Sequence, residues 1–198
     1  MKTALLLSAG GLWGAYQAGA WKALEDRFRP DMVIGASAGA LNGWAIAGGV
    51  SSAELIEQWL HPSTAGLMSF RLPVLPWHGF FDPRPLEELV RELFARHRPR
   101  VPFAGTLVEL PGMRLRLVSQ EAMTWRHLMA MCAVPFGFPP MRLDGRWYVD
   151  GGLRGALPVW AAARMGASRV IAIDALPRMP SRMARYTLKA VQWAAGGM

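Results

Sequence analysis

Apolar residues fall along this chain in two alternating rhythms, short unbroken runs and helically spaced stripes. Thr3 to Leu7, Met32 to Ile34 and Val170 to Ile173 are short runs bounded by turn residues, as in strands buried on both faces. From Ala15 to Phe28 the apolar residues recur at helical spacing until Pro30 forbids continuation, and Leu41 to Ala47 forms a second, more apolar helix. Ser51 and Glu54 read as a capping box for a helix reaching Leu60, and Asp82-Pro83 as the start of one running to Arg96. Gly105 to Leu110 and Met113 to Ser119 are predicted strands joined at Pro111-Gly112, and Thr124 to Cys132 a short helix. Asp144-Gly145 centres a hairpin from Arg142 to Val149. Helices are predicted from Pro158 to Met165 and from Ser181 to Ala195. Strands alternating with helices predict an α/β fold, three layers deep, with a mainly parallel central sheet.

From His61 to Phe81 no period holds. Pro62, Pro73 and Pro76 block regular structure while Phe70, Trp77, Phe80 and Phe81 ask to be buried, so the segment reads either as a lid or as a surface loop pinned by its own aromatics.

With 198 residues, 52% of them hydrophobic and 18% charged, the chain is sized for one domain, 1–198, with a real core. Its lone cysteine, Cys132, excludes an intramolecular disulfide and reads as a core residue. The net charge of +8 includes clusters at Arg96, Arg98 and Arg100 and at Arg178, Arg182, Arg185 and Lys189. A basic surface draws anionic lipid or nucleic acid. No zinc-finger spacing, aromatic RNA-binding signature or basic heptad region accompanies it, so nucleic acid is not expected as a partner. The apolar stretch Ala4 to Leu7 is too short for a secretory signal, and no run approaches the ~20 residues of a spanning helix. A cytoplasmic location with at most peripheral contact to anionic membrane is expected.

Three motifs carry chemistry. Gly35-Ala36-Ser37-Ala38-Gly39 follows a strand and precedes an apolar helix, the order of a nucleophile elbow; Gly35 and Gly39 permit the sharp bend that presents the Ser37 hydroxyl. Its base is not evident among His61, His78, His97 and His127, because the acids Asp150 and Asp174 follow the last histidine, against the usual Ser, acid, His order. Asp150, in Tyr148-Val149-Asp150-Gly151-Gly152, is an acid at a strand end with glycines behind it; the same residues also fit a plain turn. Gly10-Gly11-Leu12-Trp13-Gly14 frees backbone N–H groups at a helix start, where an oxyanion could be held; a phosphate cradle is the competing use, although no Gly-Lys-Ser/Thr follows and a dinucleotide fingerprint would begin at Ala9.

Taken along the chain as glycine-rich loop, G-x-S-x-G serine and Asp-Gly-Gly aspartate, the three motifs resemble the patatin-like phospholipase family, and so do Ala133-Val134-Pro135-Phe136-Gly137-Phe138-Pro139-Pro140, Pro158 and the strand ending at Ile173. The resemblance implies a serine lipid acyl hydrolase of phospholipase A or esterase type, acting through an acyl-enzyme without metal or cofactor. Ser37 would be the nucleophile, Asp150 the base, and Gly10, Gly11, Leu12 and Gly14 the oxyanion loop. Phospholipid or another acyl-ester lipid would be the substrate. Trp13 stands where the family usually has Arg or Lys, and Ala156 near where it commonly has Asn. A catalytically weak or inactive lipid-binding protein of the same fold, or an acyltransferase or thioesterase using the same residues, are the alternatives.

Overall fold

A computed structural model of the chain describes residues 1–73, 75 and 78–175. The expected helix from Ser181 to Ala195, the basic cluster Arg178, Arg182, Arg185 and Lys189, and Pro76 and Trp77 lie outside the described residues.

Strand β1 (Thr3–Leu7), apolar and buried from Ala4 on, lies between two parallel neighbours, β2 (Met32–Gly35) and β7 (Arg169–Ile173). Helices cover both faces of the sheet, which is why its side chains need no polar alternation. On one face Leu5, Leu7 and Val33 meet residues of α1 (Gly14–Leu24), α2 (Ala38–Ala47), α3 (Ser52–Leu60), α4 (Arg84–Arg96) and α5 (Trp125–Met131). On the other, Ala4, Leu6 and Ile34 pack against Ala161 and Ala162 of α6 (Val159–Arg164). At the centre of the larger core Trp44 is 1% exposed, stacks on Phe94 with centroids 5.1 Å apart and donates its indole N–H to His97 O at 2.9 Å. Such a burial contributes roughly 1.5–3 kcal/mol.

The expected α/β layering is present, and the sheet is mixed. Seven strands run β5 (Met141–Leu143), β6 (Arg146–Asp150), β3 (Phe103–Leu110), β2, β1, β7, with β4 (Arg114–Ser119) also on β3. β3 is parallel to β2 but antiparallel to β4 and β6, and β5 is antiparallel to β6. Leu107 to Glu109 pair with β4 and β6 at once, and Ala104 and Gly105 with β4 and β2. β2 and β6 therefore share one edge of β3 and meet there end to end.

Several boundaries differ from the sequence expectation. α1 stops at Leu24, not Phe28: Arg27 N–H turns back to Leu24 O at 2.9 Å, and the Glu25 carboxylate accepts the Ser52 N–H at 3.0 Å. α2 begins at Ala38, within the elbow and directly after Ser37, and all ten of its residues are buried. The segment after α3 is not irregular throughout, since Pro62–Met68 forms a 3-10 helix and Phe70 bridges Phe81. The end of its described part is tied to the segment after α5 by main-chain bonds. Phe80 and Phe81 donate backbone N–H bonds to Phe136 O and Gly137 O at 2.8 and 2.9 Å. The hairpin turns at Asp144 and Gly145, both at positive φ, as a two-residue primed turn requires.

Candidate active site

Ser37 stands between β2 and α2 at φ 55°, ψ −129°, a left-handed conformation that a serine adopts only where its surroundings enforce it. The enforcement is visible. Ala36 N–H is bonded to Leu7 O at 3.1 Å, and Gly39 N–H closes back on Ala36 O at 2.9 Å. A Cβ on Gly35 would collide with the backbone of Gly39 and Ala40, and one on Gly39 with the carbonyl oxygens of Leu7 and Ser8. Both glycines of the motif are thus fixed by packing of main chain on main chain. The Ala38 N–H, in the first turn of α2, has no acceptor among the described residues.

The register of β3 delivers Asp150 to this serine. β2 ends with Gly35 opposite Gly105, and β6 ends with Asp150 opposite Leu107, leaving only Thr106 between the two strand ends. Gly151 then lies directly on Thr106, whose side chain and carbonyl leave no room for a Cβ. A Cβ on Gly152 would sit 2.5 Å from Ala9 Cβ. Asp150 is 3% exposed; its N–H is held by Ala133 O at 3.1 Å, and its Oδ1 accepts the Gly152 N–H at 2.7 Å. Burial pushes the carboxyl up to about 7, against hydrogen bonds from the Ser37 hydroxyl and the Gly152 N–H that hold it down. The same burial raises the thiol of neighbouring Cys132.

The glycine loop after β1 forms a 3-10 turn, Gly11–Trp13, leading into α1. Gly11 is at φ 54° with open space around it. Trp13 N–H returns to Gly10 O, whereas among the described residues nothing accepts the N–H groups of Gly10, Gly11 or Leu12. Free donors at a helix start suit a developing negative charge. The sequence reading missed what secures this loop. Gln17 Nε2–H donates to Ser8 O at 2.7 Å, and Asn42 Nδ2–H donates to Gly14 O at 3.0 Å and to Gln17 Oε1 at 2.9 Å. Trp59 Nε1–H completes the set on Asn42 Oδ1 at 2.8 Å. A signal was available, because Asn42 is the one polar side chain in an otherwise apolar helix.

Trp13 and Ala156, the two departures from the family pattern, both lie at the glycine loop. The Trp13 side chain is 59% exposed, and Ala156 meets the loop through its backbone, its carbonyl accepting the Ala9 N–H at 2.8 Å. His127 belongs to the Thr124 cap of α5, with Nδ1 3.2 Å from the Thr124 N–H, and burial lowers its pKa. Among the described residues no three His, Cys, Asp or Glu side chains gather as a metal site, and no helix is long and apolar enough to cross a membrane.

A family model for patatin-like phospholipase matches residues 5–163. Patatin-like phospholipase domain-containing protein 7 of Rattus norvegicus is 27% identical over 192 residues, 92% of this chain and 14% of that protein. Domain-containing protein 6 of Mus musculus is 29% identical over 181 residues, 86% of this chain and 13% of its own length. The chain thus spans a small part of these relatives. Among solved structures, VipD from Legionella pneumophila shares the fold with a TM-score of 0.64 at 15% identity, over 96% of this chain and 53% of VipD. With a family model spanning the elbow, the glycine loop and the Asp-Gly-Gly strand end, the chain belongs to the patatin-like phospholipase family.

Proposed function

We propose that the chain, as one patatin-like domain, is a serine lipid acyl hydrolase that uses Ser37 and Asp150 as a dyad. The observation that carries the reading is the meeting of β2 and β6 on β3, which sets the strained Ser37 against a buried carboxylate. Ser37 Oγ attacks the ester carbonyl carbon as Asp150 takes its proton. The carbonyl oxygen becomes an oxyanion facing the N–H groups of Gly10, Gly11 and Leu12. Asp150 returns the proton to the departing alkoxide, leaving an acyl-Ser37 ester. Water, deprotonated by Asp150, then attacks that ester, and Asp150 passes the proton to the departing Ser37 Oγ as the fatty acid is freed. A carboxylate with its pKa near 7 is a stronger base than an ordinary aspartate and is still largely ionised slightly above neutrality.

The substrate class is supported by the rim around the site. Leu12, Trp13 and Tyr16 beside the glycine loop, Phe70 and Phe80 after α3, and Val134 and Phe136 after α5 all expose large apolar surface. These segments border one another. Trp59 at the end of α3 covers Gly14, Phe80 N–H reaches Phe136 O, and Ala133 O holds Asp150. An apolar rim of this kind suits peripheral contact with a lipid surface.

The test is hydrolysis of p-nitrophenyl butyrate by wild type, Ser37→Ala and Asp150→Asn in the presence of chelator. Loss in both variants, with wild-type activity indifferent to chelator, is expected. Full activity in Ser37→Ala would overturn the assignment.

A further inference from the structure

We infer that Gln17 and Asn42 are positioning residues that lock the glycine loop onto the helix of the nucleophile; this rests on the reading of Ser37 and that loop as catalytic partners. Within itself the loop is held only by the backbone bonds of one 3-10 turn. Gly11 has a left-handed φ with nothing around it, and Leu12 and Trp13 are each about half exposed. Its two ends are instead gripped by side-chain amides, Ser8 O by Gln17 and Gly14 O by Asn42. Gln17 is fully buried and Asn42 is 2% exposed, so neither amide has water as a substitute partner.

The wiring admits one arrangement. Asn42 spends both Nδ2 hydrogens on Gly14 O and Gln17 Oε1, and its Oδ1 receives the Trp59 indole N–H. Flipping the Asn42 amide would set its oxygen against two acceptors and its nitrogen against a donor. Asn42 also lies on α2, whose first turn follows Ser37. Loop and nucleophile are thereby referred to one rigid element, where a Cβ on Gly14 would stand 3.2 Å from Ala38 Cβ. Because oxyanion stabilisation depends on donors standing where charge develops, a small drift of the loop lowers turnover without removing any reacting group.

The experiment measures kcat and KM on p-nitrophenyl butyrate, and the rate of Ser37 labelling by a fluorophosphonate, for wild type, Gln17→Met, Trp59→Phe and Ser37→Ala. Gln17→Met keeps the side-chain volume and loses the amide; its kcat should fall about tenfold to a hundredfold with KM within about twofold, and labelling should slow in parallel. Trp59→Phe removes the N–H bond to Asn42 together with the indole atoms that lie over Gly14, so its kcat should fall about twofold to tenfold. Wild-type kcat in a Gln17→Met protein that melts cooperatively, or a loss confined to KM, overturns the inference. If Gln17→Met does not melt cooperatively, Trp59→Phe decides alone, and wild-type kcat there overturns it. The Ser37→Ala control separates the two levels: unchanged kcat in the loop variants with an inactive Ser37→Ala removes only the positioning role, while an active Ser37→Ala removes the nucleophile as well.

Discussion

Replacing Asp150 by Asn should make the protein more stable while stopping its chemistry, and the gain should depend on pH. The carboxyl stands at about 7 in the folded chain against an ordinary value of 3.8, chiefly through burial. In the unfolded chain it reverts to the ordinary value. Between the two values the folded state therefore binds more protons than the unfolded one, so this group makes stability fall as pH rises from about 4 to about 7 and level off above. The full difference corresponds to about 4 kcal/mol, at ~1.4 kcal/mol per pKa unit. Asn keeps an Oδ1 to accept the Gly152 N–H and carries no charge to bury. Urea denaturation of wild type and Asp150→Asn at pH 5 and pH 8.5 isolates the term, since every other titrating group is common to both. A gain of about 2–4 kcal/mol at pH 8.5, shrinking to about half or less at pH 5, is expected. A gain that is the same at both pH values, or a loss at pH 8.5, would refute the claim that a buried charge is the cost carried by this site.

The same carboxylate sets the activity profile: kcat/KM should rise with pH through about 7 and then level off, and a profile already flat at pH 5 would speak against Asp150 as base. Two glycine substitutions should differ sharply in chemical denaturation. Gly39→Ala drives a Cβ into the carbonyls of Leu7 and Ser8 and should cost roughly 3 kcal/mol or more, whereas Gly11→Ala meets only backbone strain at φ 54° and should cost about 1–2 kcal/mol. The Thr106 hydroxyl is buried with no hydrogen-bond partner among the described residues, so the isosteric Thr106→Val should leave stability unchanged or raise it by about 1 kcal/mol, read by the same method. Phe70→Ser with Phe136→Ser should weaken binding to phospholipid vesicles roughly tenfold in a sedimentation assay while hydrolysis of a soluble short ester is retained.

What the sequence disclosed and what it withheld divide along the range of the interactions. The elbow is local: Gly35, Ser37 and Gly39 declare a bend because nearby backbone leaves no room for larger residues. The Asp144-Gly145 turn and the Ser51 cap, whose hydroxyl accepts the Glu54 N–H at 3.2 Å, are local in the same way. β3 was harder, because the antiparallel partners on it come from residues 114–119 and 146–150 and nothing in a strand's own pattern names its neighbours. The amide cluster was hardest. Gln17 stands in a helix that looks amphipathic, and a polar residue there reads as solvent-facing until tertiary contact places it at the core.

The mixed sheet is what brings a serine and an aspartate so far apart in sequence next to one another. In an all-parallel sheet every strand would present its C-terminal end at one edge, and an acid at such an end would stand beside the serine's strand rather than facing it. Here β6 runs against β2 along one side of β3, so the chain leaves each strand at the same point, and the acid and hydroxyl are brought close by strand register rather than by a long loop. The elbow can then be short and strained, because β1 and β3 hold β2 on both sides. The Asp-Gly-Gly exit can be short as well, because Thr106 and Ala9 leave no room for a Cβ on either glycine. Precision at the site is therefore a property of the β3 register. A single residue inserted between Gly105 and Leu107 should separate Ser37 from Asp150 even where every residue of the three motifs is intact, and activity should disappear while the parallel half of the sheet still folds.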